Sequence, residues 1–360
     1  MKIVATGISG AGRGAYLAQV EALAKVNERK IKIFETGDMM FETAKKLGID
    51  IPEDKILDLS PSTLNFLRTT VFERIIRESK EFDDTIISTH ACFRWKKHII
   101  QAFDFHYLDQ IRPDVYVSII DSITSIRARQ EGMSQWRGQL SMKDLVVWRD
   151  EEVFVTKSIA DFQRRPFFVM SREEPPETMY KVLYTPGAPK AYLSYPMTHT
   201  GTDEENLKRK DAFKEGLRRA GLVIFDPISI GDGELLDFLE EAKAKGEGKI
   251  TYLKGRSTVS FDIKEAEEVS DDIGDQIVAR DYQLIEQSDM VVVYYFLPVM
   301  SPGVLSEMTY GFTNKKNVYS VFKGQESPFF RYYSTKVFKD EDAILNYLGE
   351  MAAGRKETPA

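Results

Sequence analysis

ARDYQLIEQSDMVVVYYFLPVMSPGVLSEMTYGF runs from Ala279 to Phe312, and its reading sets the fold of the second half of the chain. Arg280 to Gln287 reads as the last turns of an amphipathic helix, with Tyr282 and Ile285 on its apolar side. Met290 to Phe296 is a continuous apolar, β-branched and aromatic run, which suits a strand of a parallel sheet covered on both faces. Ser301-Pro302-Gly303 is a turn, and the helix-compatible run after it carries Glu307. A carboxylate just past the carboxyl end of such a strand lies where open α/β sheets bind ligands. A first-turn glutamate favoured by the helix dipole is the structural alternative.

Outward from this stretch, other strands alternate with helices. Strands are expected at Lys2–Thr6, Ile31–Glu35, Thr85–Ser88, Val115–Ile120 and Phe167–Met170, and then at Lys190–Ser194, Leu222–Phe225 and Val318–Phe322. Helices are expected at Ala15–Val26, Met39–Leu47, Ser62–Ser79, Ser122–Gln130, Pro176–Leu183, Asn206–Ala220, Leu235–Lys245 and Glu341–Leu348. This alternation implies an α/β chain of two doubly wound parallel-sheet domains. The expected boundaries are a first domain over 1–184, a stiff linker Thr185-Pro186-Gly187-Ala188-Pro189, a second domain over 190–350 and a frayed tail over 351–360. The charged stretch 231–275 is expected as an insertion in the second domain, a cap or a subunit contact; Ile250 to Phe261 shows no clear period.

The 360 residues suffice for two domains. A 42% hydrophobic and 29% charged composition is that of a globular chain, and no apolar run reaches the ~20 residues of a membrane helix. A net charge of −7 argues against a broad nucleic-acid surface. A single cysteine, Cys92, excludes an internal disulfide framework and a cysteine-rich zinc site, which fits a cytoplasmic location. The N-terminus enters a strand and a glycine loop directly and does not read as a signal peptide. His90, His98, His106 and His199 lack metal-ligand spacing, so no metal site is expected from them; His98 and His106 read as partly exposed helix residues. Cys92 reads as a small buried hydrophobe.

Gly7-Ile8-Ser9-Gly10-Ala11-Gly12-Arg13-Gly14 lies between the first strand and the first helix. Backbone N–H groups and a helix N-terminus there make a phosphate cradle, so Gly7, Gly10, Gly12 and Arg13 are candidate nucleotide-binding residues. Gly7 and Gly12 match the P-loop pattern, but Arg13 stands at the lysine and Gly14 at the hydroxyl position. With MKIVATGISGAG at the start, Phe34 to Ile49 (FETGDMMFETAKKLGI), STHA at Ser88 to Ala91 and IRARQ at Ile126 to Gln130, residues 1 to about 184 resemble the archaeal type of adenylate kinase. The resemblance implies a nucleoside-phosphate site near Asp38 and His90, and a lid around Trp136-Arg137-Gly138 with Arg129 and Arg137 facing phosphates. It also implies ATP or GTP at the loop. Whether Mg²⁺ accompanies it stays open, because Gly14 and Ser88 stand where the family carries a hydroxyl and an acid. Phosphoryl transfer depends on lysine and metal, so this half is expected to bind nucleotide and to be impaired as a kinase.

AYLSYP with Tyr192, then Arg280-Asp281 through Ile285 to Ser288-Asp289 and Val291-Val292, then Gly303 to Glu307 resemble the nucleoside 2-deoxyribosyltransferase family and its relatives that hydrolyse 2′-deoxynucleoside 5′-phosphates. Cleaving an N-glycosidic bond builds positive charge on the sugar, which a carboxylate on the ring face stabilises or attacks. Glu307 is the candidate for that role, Asp281 for holding the sugar hydroxyl or assisting the leaving base, and Tyr192 for orienting Glu307 or the sugar. Ser301 and the Gly303 amide are candidates for a 5′-phosphate or 5′-hydroxyl. This chemistry needs no cofactor, and the expected substrate is a nucleoside or nucleotide. The resemblance implies a homo-oligomer. A nucleotide sensor without turnover and an atypical nucleoside-monophosphate kinase are the competing functions. The base, the sugar and the acceptor are not legible.

Overall fold

Five strands run parallel in the first of two sheets of this computed structural model, which describes residues 1–96, 98–197, 204–297 and 301–356. They are β1 (Lys2–Thr6), β2 (Ile31–Glu35), β3 (Asp84–Ser88), β6 (Val115–Ile120) and β7 (Phe167–Ser171), in the order β2-β3-β1-β6-β7. An antiparallel hairpin, β4 (Cys92–Trp95) and β5 (His98–Gln101), follows β3. The second sheet is also parallel, with β8 (Lys190–Ser194), β9 (Val223–Phe225), β12 (Met290–Tyr295), β13 (Asn317–Phe322) and β14 (Lys336–Phe338) in the order β14-β13-β12-β8-β9. The chain is therefore α/β with two doubly wound sheets. All six residues of β12 are buried, as its unbroken apolar sequence requires of a central strand with helices on both faces.

By contacts the chain divides into Met1–Pro176 with Ile230–Gln276, and Glu177–Ser229 with Ile277–Ala360. In the first unit Val4, Ile87 and Tyr116 of the sheet pack against Val71, Phe72 and Ile75 of the helix Pro61–Glu78 and Ile159 of the helix Met142–Phe162. In the second, Leu193, Ile224 and Val292 pack against Phe213 and Leu217 of the helix Glu204–Arg219 and Ile344 and Leu348 of the helix Glu341–Lys356.

The segment expected as an insertion in the second half differs most from its sequence reading. It packs with the first unit: Asp232 receives both Nη1 (2.6 Å) and Nη2 (3.0 Å) of buried Arg149, and the Tyr252 hydroxyl donates to the Thr124 carbonyl at 2.9 Å. The aperiodic run Ile250–Phe261 belongs to a hairpin, β10 (Lys249–Lys254) with β11 (Ser257–Asp262), turning at Gly255. A 24-residue helix, Ile263–Glu286, then leads to β12. The helix Met142–Phe162 has no counterpart in the sequence reading, although Ser141 and Asp144 form a capping box at its start. His98 lies on exposed β5 instead of a helix, and residues 351–356, expected to fray, continue the last helix. His199 lies outside the described residues.

Candidate functional sites

At the carboxyl end of β1 the glycine loop turns into the helix Arg13–Val26. Gly7 has φ +147°, and a Cβ there would lie 2.4 Å from the Ile119 carbonyl oxygen, so only glycine lets the loop cross β6 this closely. Gly12, in the left-handed region at φ 73°, caps the helix. The loop is braced from outside its own sequence. Glu152, 1% exposed, accepts the N–H of Gly7 at 3.1 Å, Ala91 at 2.8 Å and Cys92 at 2.8 Å. Burial alone would raise this carboxyl, but His90 and the backbone N–H groups outweigh it and hold Glu152 below its usual range.

Arg13 folds back on the protein. Its Nε donates to the Ser88 hydroxyl at 2.7 Å and its Nη1 to the Gly7 carbonyl at 2.6 Å. Burial pulls Arg13 below its usual value, opposed by Glu35, Glu152 and Asp38. A cavity of about 500 Å³ opens beside the loop, and its lining includes Gly10, Gly12, Arg13, Asp38, His90 and Trp136. Asp38 sits inside the first turn of the helix Thr36–Lys46, which begins earlier than expected. His90 is lowered from its usual value by burial and then by the charge of Arg13; its Nδ1 stands 3.7 Å from Glu152. Arg129 braces the loop, giving Nη1 to the Gly10 carbonyl at 2.7 Å and Nη2 to Asp121 at 2.6 Å. Arg137 is exposed and donates to the Glu131 carbonyl at 2.6 Å, and it does not line this cavity. Trp136 is buried against Trp148 and Trp95. Of the two positions singled out for a magnesium oxygen donor, Gly14 has no side chain and the Ser88 hydroxyl accepts the Arg13 Nε–H.

The second site gathers at the carboxyl ends of β8 and β12. The order of the second sheet reverses between these strands, the position where such sheets form a ligand crevice. Ser301 caps the helix Pro302–Thr313, its hydroxyl accepting the Val304 N–H at 3.4 Å while its own N–H meets the Tyr295 hydroxyl at 2.5 Å. Gly303 follows in the first turn, and an added Cβ there would meet only the Ser301 hydroxyl, at 3.9 Å. Glu307 is in the second turn, so the first-turn dipole alternative does not describe it. It is 6% exposed and accepts a hydrogen bond from the Ser194 hydroxyl. Burial first, and then the charge of Asp281, push Glu307 up to about 8, against the hydroxyls of Ser194 and Tyr192. Asp281 is itself buried, near the end of the helix Ile263–Glu286. Tyr192 is fully buried; burial, and then the charges of Glu307 and Asp281, raise its hydroxyl well above its usual value. Glu307, Asp281 and Tyr192 thus come from three separate segments to one buried point. Ser194 joins them unannounced, although it shares a strand face with Tyr192 two residues earlier. Beyond the next residue, the Tyr195 hydroxyl donates to buried Asp226 at 2.9 Å, which also holds Lys214 at 2.8 Å and Lys210 at 3.2 Å. Cys92 is buried and its thiol pushed up by burial, which leaves it no nucleophilic role.

A family model described as "AAA domain" matches residues 6–145. The adenylate kinase of Thermococcus kodakarensis is 26% identical over 161 residues, 45% of this chain and 74% of that protein. That of Methanococcus vannielii is 25% identical over 163 residues, 45% of this chain and 77% of that protein. That of Sulfurisphaera tokodaii is 30% identical over 118 residues, 32% of this chain and 61% of that protein. The N-terminal part is therefore a P-loop nucleotide kinase-like domain. Its particular likeness is to archaeal adenylate kinases. No helix of the described residues is long and apolar enough to cross a membrane.

Proposed function

We infer that this chain is a nucleotide-processing enzyme that breaks or transfers an N-glycosidic bond at Glu307, beside a kinase-like domain that binds nucleotide without efficient phosphotransfer. The observation that carries the reading is the buried Glu307–Asp281 pair with Tyr192 and Ser194 around it. Burial and the charge of Asp281 keep a proton on the Glu307 side of the pair up to about pH 8. Glu307 passes this proton through Asp281 to the ring nitrogen of the departing base as the C–N bond breaks and its electron pair leaves with the base, which leaves Glu307 as the carboxylate. The Glu307 carboxylate then bonds to the anomeric carbon or stabilises its positive charge, and water or a second base completes hydrolysis or transfer. Tyr192 and Ser194 orient Glu307; Ser301 and the Gly303 amide face a 5′-oxygen or 5′-phosphate.

The test is release of free base from a panel of nucleosides, their 5′-monophosphates and NAD. The wild type releases base from at least one of them, and Glu307→Ala, still folded by circular dichroism, does not. No release from the whole panel ends the enzyme reading. The one-proton form of the pair is the active one, so kcat/KM falls as pH rises past about 8, where Glu307 gives up its proton. A rate that stays level to pH 10 removes the shared proton from the mechanism.

Nucleotide binding without transfer is favoured at the glycine loop by the commitment of Arg13 to Gly7 and Ser88. ATP or GTP binds there in calorimetry while a coupled assay shows no ATP:NMP phosphotransfer. Phosphotransfer that disappears in Arg13→Ala overturns this half of the reading.

A further inference from the structure

A second cavity of the first unit, about 660 Å³, is lined by Leu64 and Arg68 of the helix Pro61–Glu78, by Trp95 and Ile100 of the β4–β5 hairpin, and by Phe103 and Asp104 after it. It shares Leu57 with the glycine-loop cavity but none of the glycines, Asp38, His90 or Arg13. Arg68 is the half-buried cation in its wall. Arg29, Arg74, Arg94, Arg129 and Arg149 of this unit each meet a carboxylate within 4 Å. Arg68 is half-buried and meets none among the described residues; its Nη1 donates to the neutral Asn65 side chain at 3.1 Å. Burial lowers Arg68 from its usual value, and Asp104 opposes this only from a distance.

Among the described residues of this wall, Asp104 caps the helix after it by accepting the His106 N–H at 2.9 Å. The Lys96 ammonium is paired with Asp58, and Asp58 also takes the Trp95 indole N–H at 3.2 Å. A partly desolvated guanidinium with four N–H donors uncommitted is costly unless an anion completes it. Planar oxyanions fit its fork in two parallel bonds. Leu64, Ile100, Phe103 and Trp95 supply an apolar, partly aromatic wall beside it, the lining that small-molecule sites use around one or two fixed polar groups.

We propose that this cavity is a binding site for a small organic anion, a carboxylate or phosphate carried on an apolar or aromatic body, with Arg68 receiving the oxyanion and Trp95 bordering the body. The proposal uses none of the glycine-loop residues and none of the residues around Glu307, so it holds whether or not the function proposed above does.

The experiment titrates the full-length protein by calorimetry with phenyl phosphate, benzoate, inorganic phosphate and uncharged benzyl alcohol. At least one of the two aromatic anions binds, and benzyl alcohol binds at least about tenfold more weakly. Arg68→Met, which keeps the length of the stem and removes the charge, weakens the aromatic anion at least about tenfold. Arg68→Lys recovers part of that loss, and Arg77→Met, at an exposed arginine of the same helix, leaves the affinity unchanged. Preference for phenyl phosphate or for benzoate assigns the oxyanion; inorganic phosphate binding as tightly as phenyl phosphate removes the apolar body from the proposal. The proposal is overturned if neither aromatic anion binds, if benzyl alcohol binds equally well, or if folded Arg68→Met binds as the wild type does.

Discussion

The glycine loop and the Glu307 site solve opposite electrostatic problems. At the loop three charges are answered by the protein: Arg13 by Gly7 and Ser88, Glu152 by three backbone N–H groups, Arg129 by Asp121 and the Gly10 carbonyl. At the other site like charges face each other, Glu307 against Asp281, and the Tyr192 hydroxyl is buried beside them. A satisfied cluster stabilises a fold, whereas a cluster held at a cost is where reactive chemistry tends to be. The motif more visible in sequence is therefore the better satisfied one, and the plainer stretch holds the strained carboxyl.

The comparison breaks first at Glu307. Glu307→Ala is expected to lower base release by on the order of a thousandfold or more, read as kcat/KM on the substrate found in the panel. A loss confined to KM would make the residue a binding group only. Next comes the brace of the loop. Glu152→Ala strands three buried N–H groups and is expected to destabilise the first unit by roughly 3–5 kcal/mol, measured by urea unfolding. A change below about 1 kcal/mol would mean the loop does not depend on that carboxylate.

The strain at the second site has its own signature in stability. Glu307 binds its proton up to about 8 in the folded chain and to about 4.5 otherwise, so its contribution to stability falls as pH rises between these values. Glu307→Gln lacks this loss. It is expected to melt with the wild type near pH 4 and to gain roughly 2–4 kcal/mol by pH 8. Equal melting at both pH values would show that the carboxyl is not held at a cost. The smallest effect is at Tyr192: Tyr192→Phe is expected to slow base release by about tenfold with little loss of stability. A destabilised but fully active variant would reverse that assignment.

Much of both sites was legible in residue order. The glycines between Lys2–Thr6 and the first helix marked one, and Asp281 and Glu307 on either side of an apolar strand marked the other. Glu152 was not legible. It stands on a helix more than fifty residues from its nearest partner and has no motif of its own. Nor did the charged run 231–275 disclose its host. Its composition suits a solvated face of either unit, and contacts such as Asp232 with Arg149 and Tyr252 with Thr124 assign it to the first.

Sequence by itself determined the two parallel sheets and the candidate residues of each site, because strand periodicity, turns and glycine loops are local properties of the chain. Tertiary structure alone decided which of those residues are at ease. Arg13 turned into its own loop, Arg137 turned away from the cavity, and Glu307 came to rest in a dry site against another carboxyl. The reason is that the energy of a charge depends on its distance to other charges and to water, and neither distance is written in the order of residues.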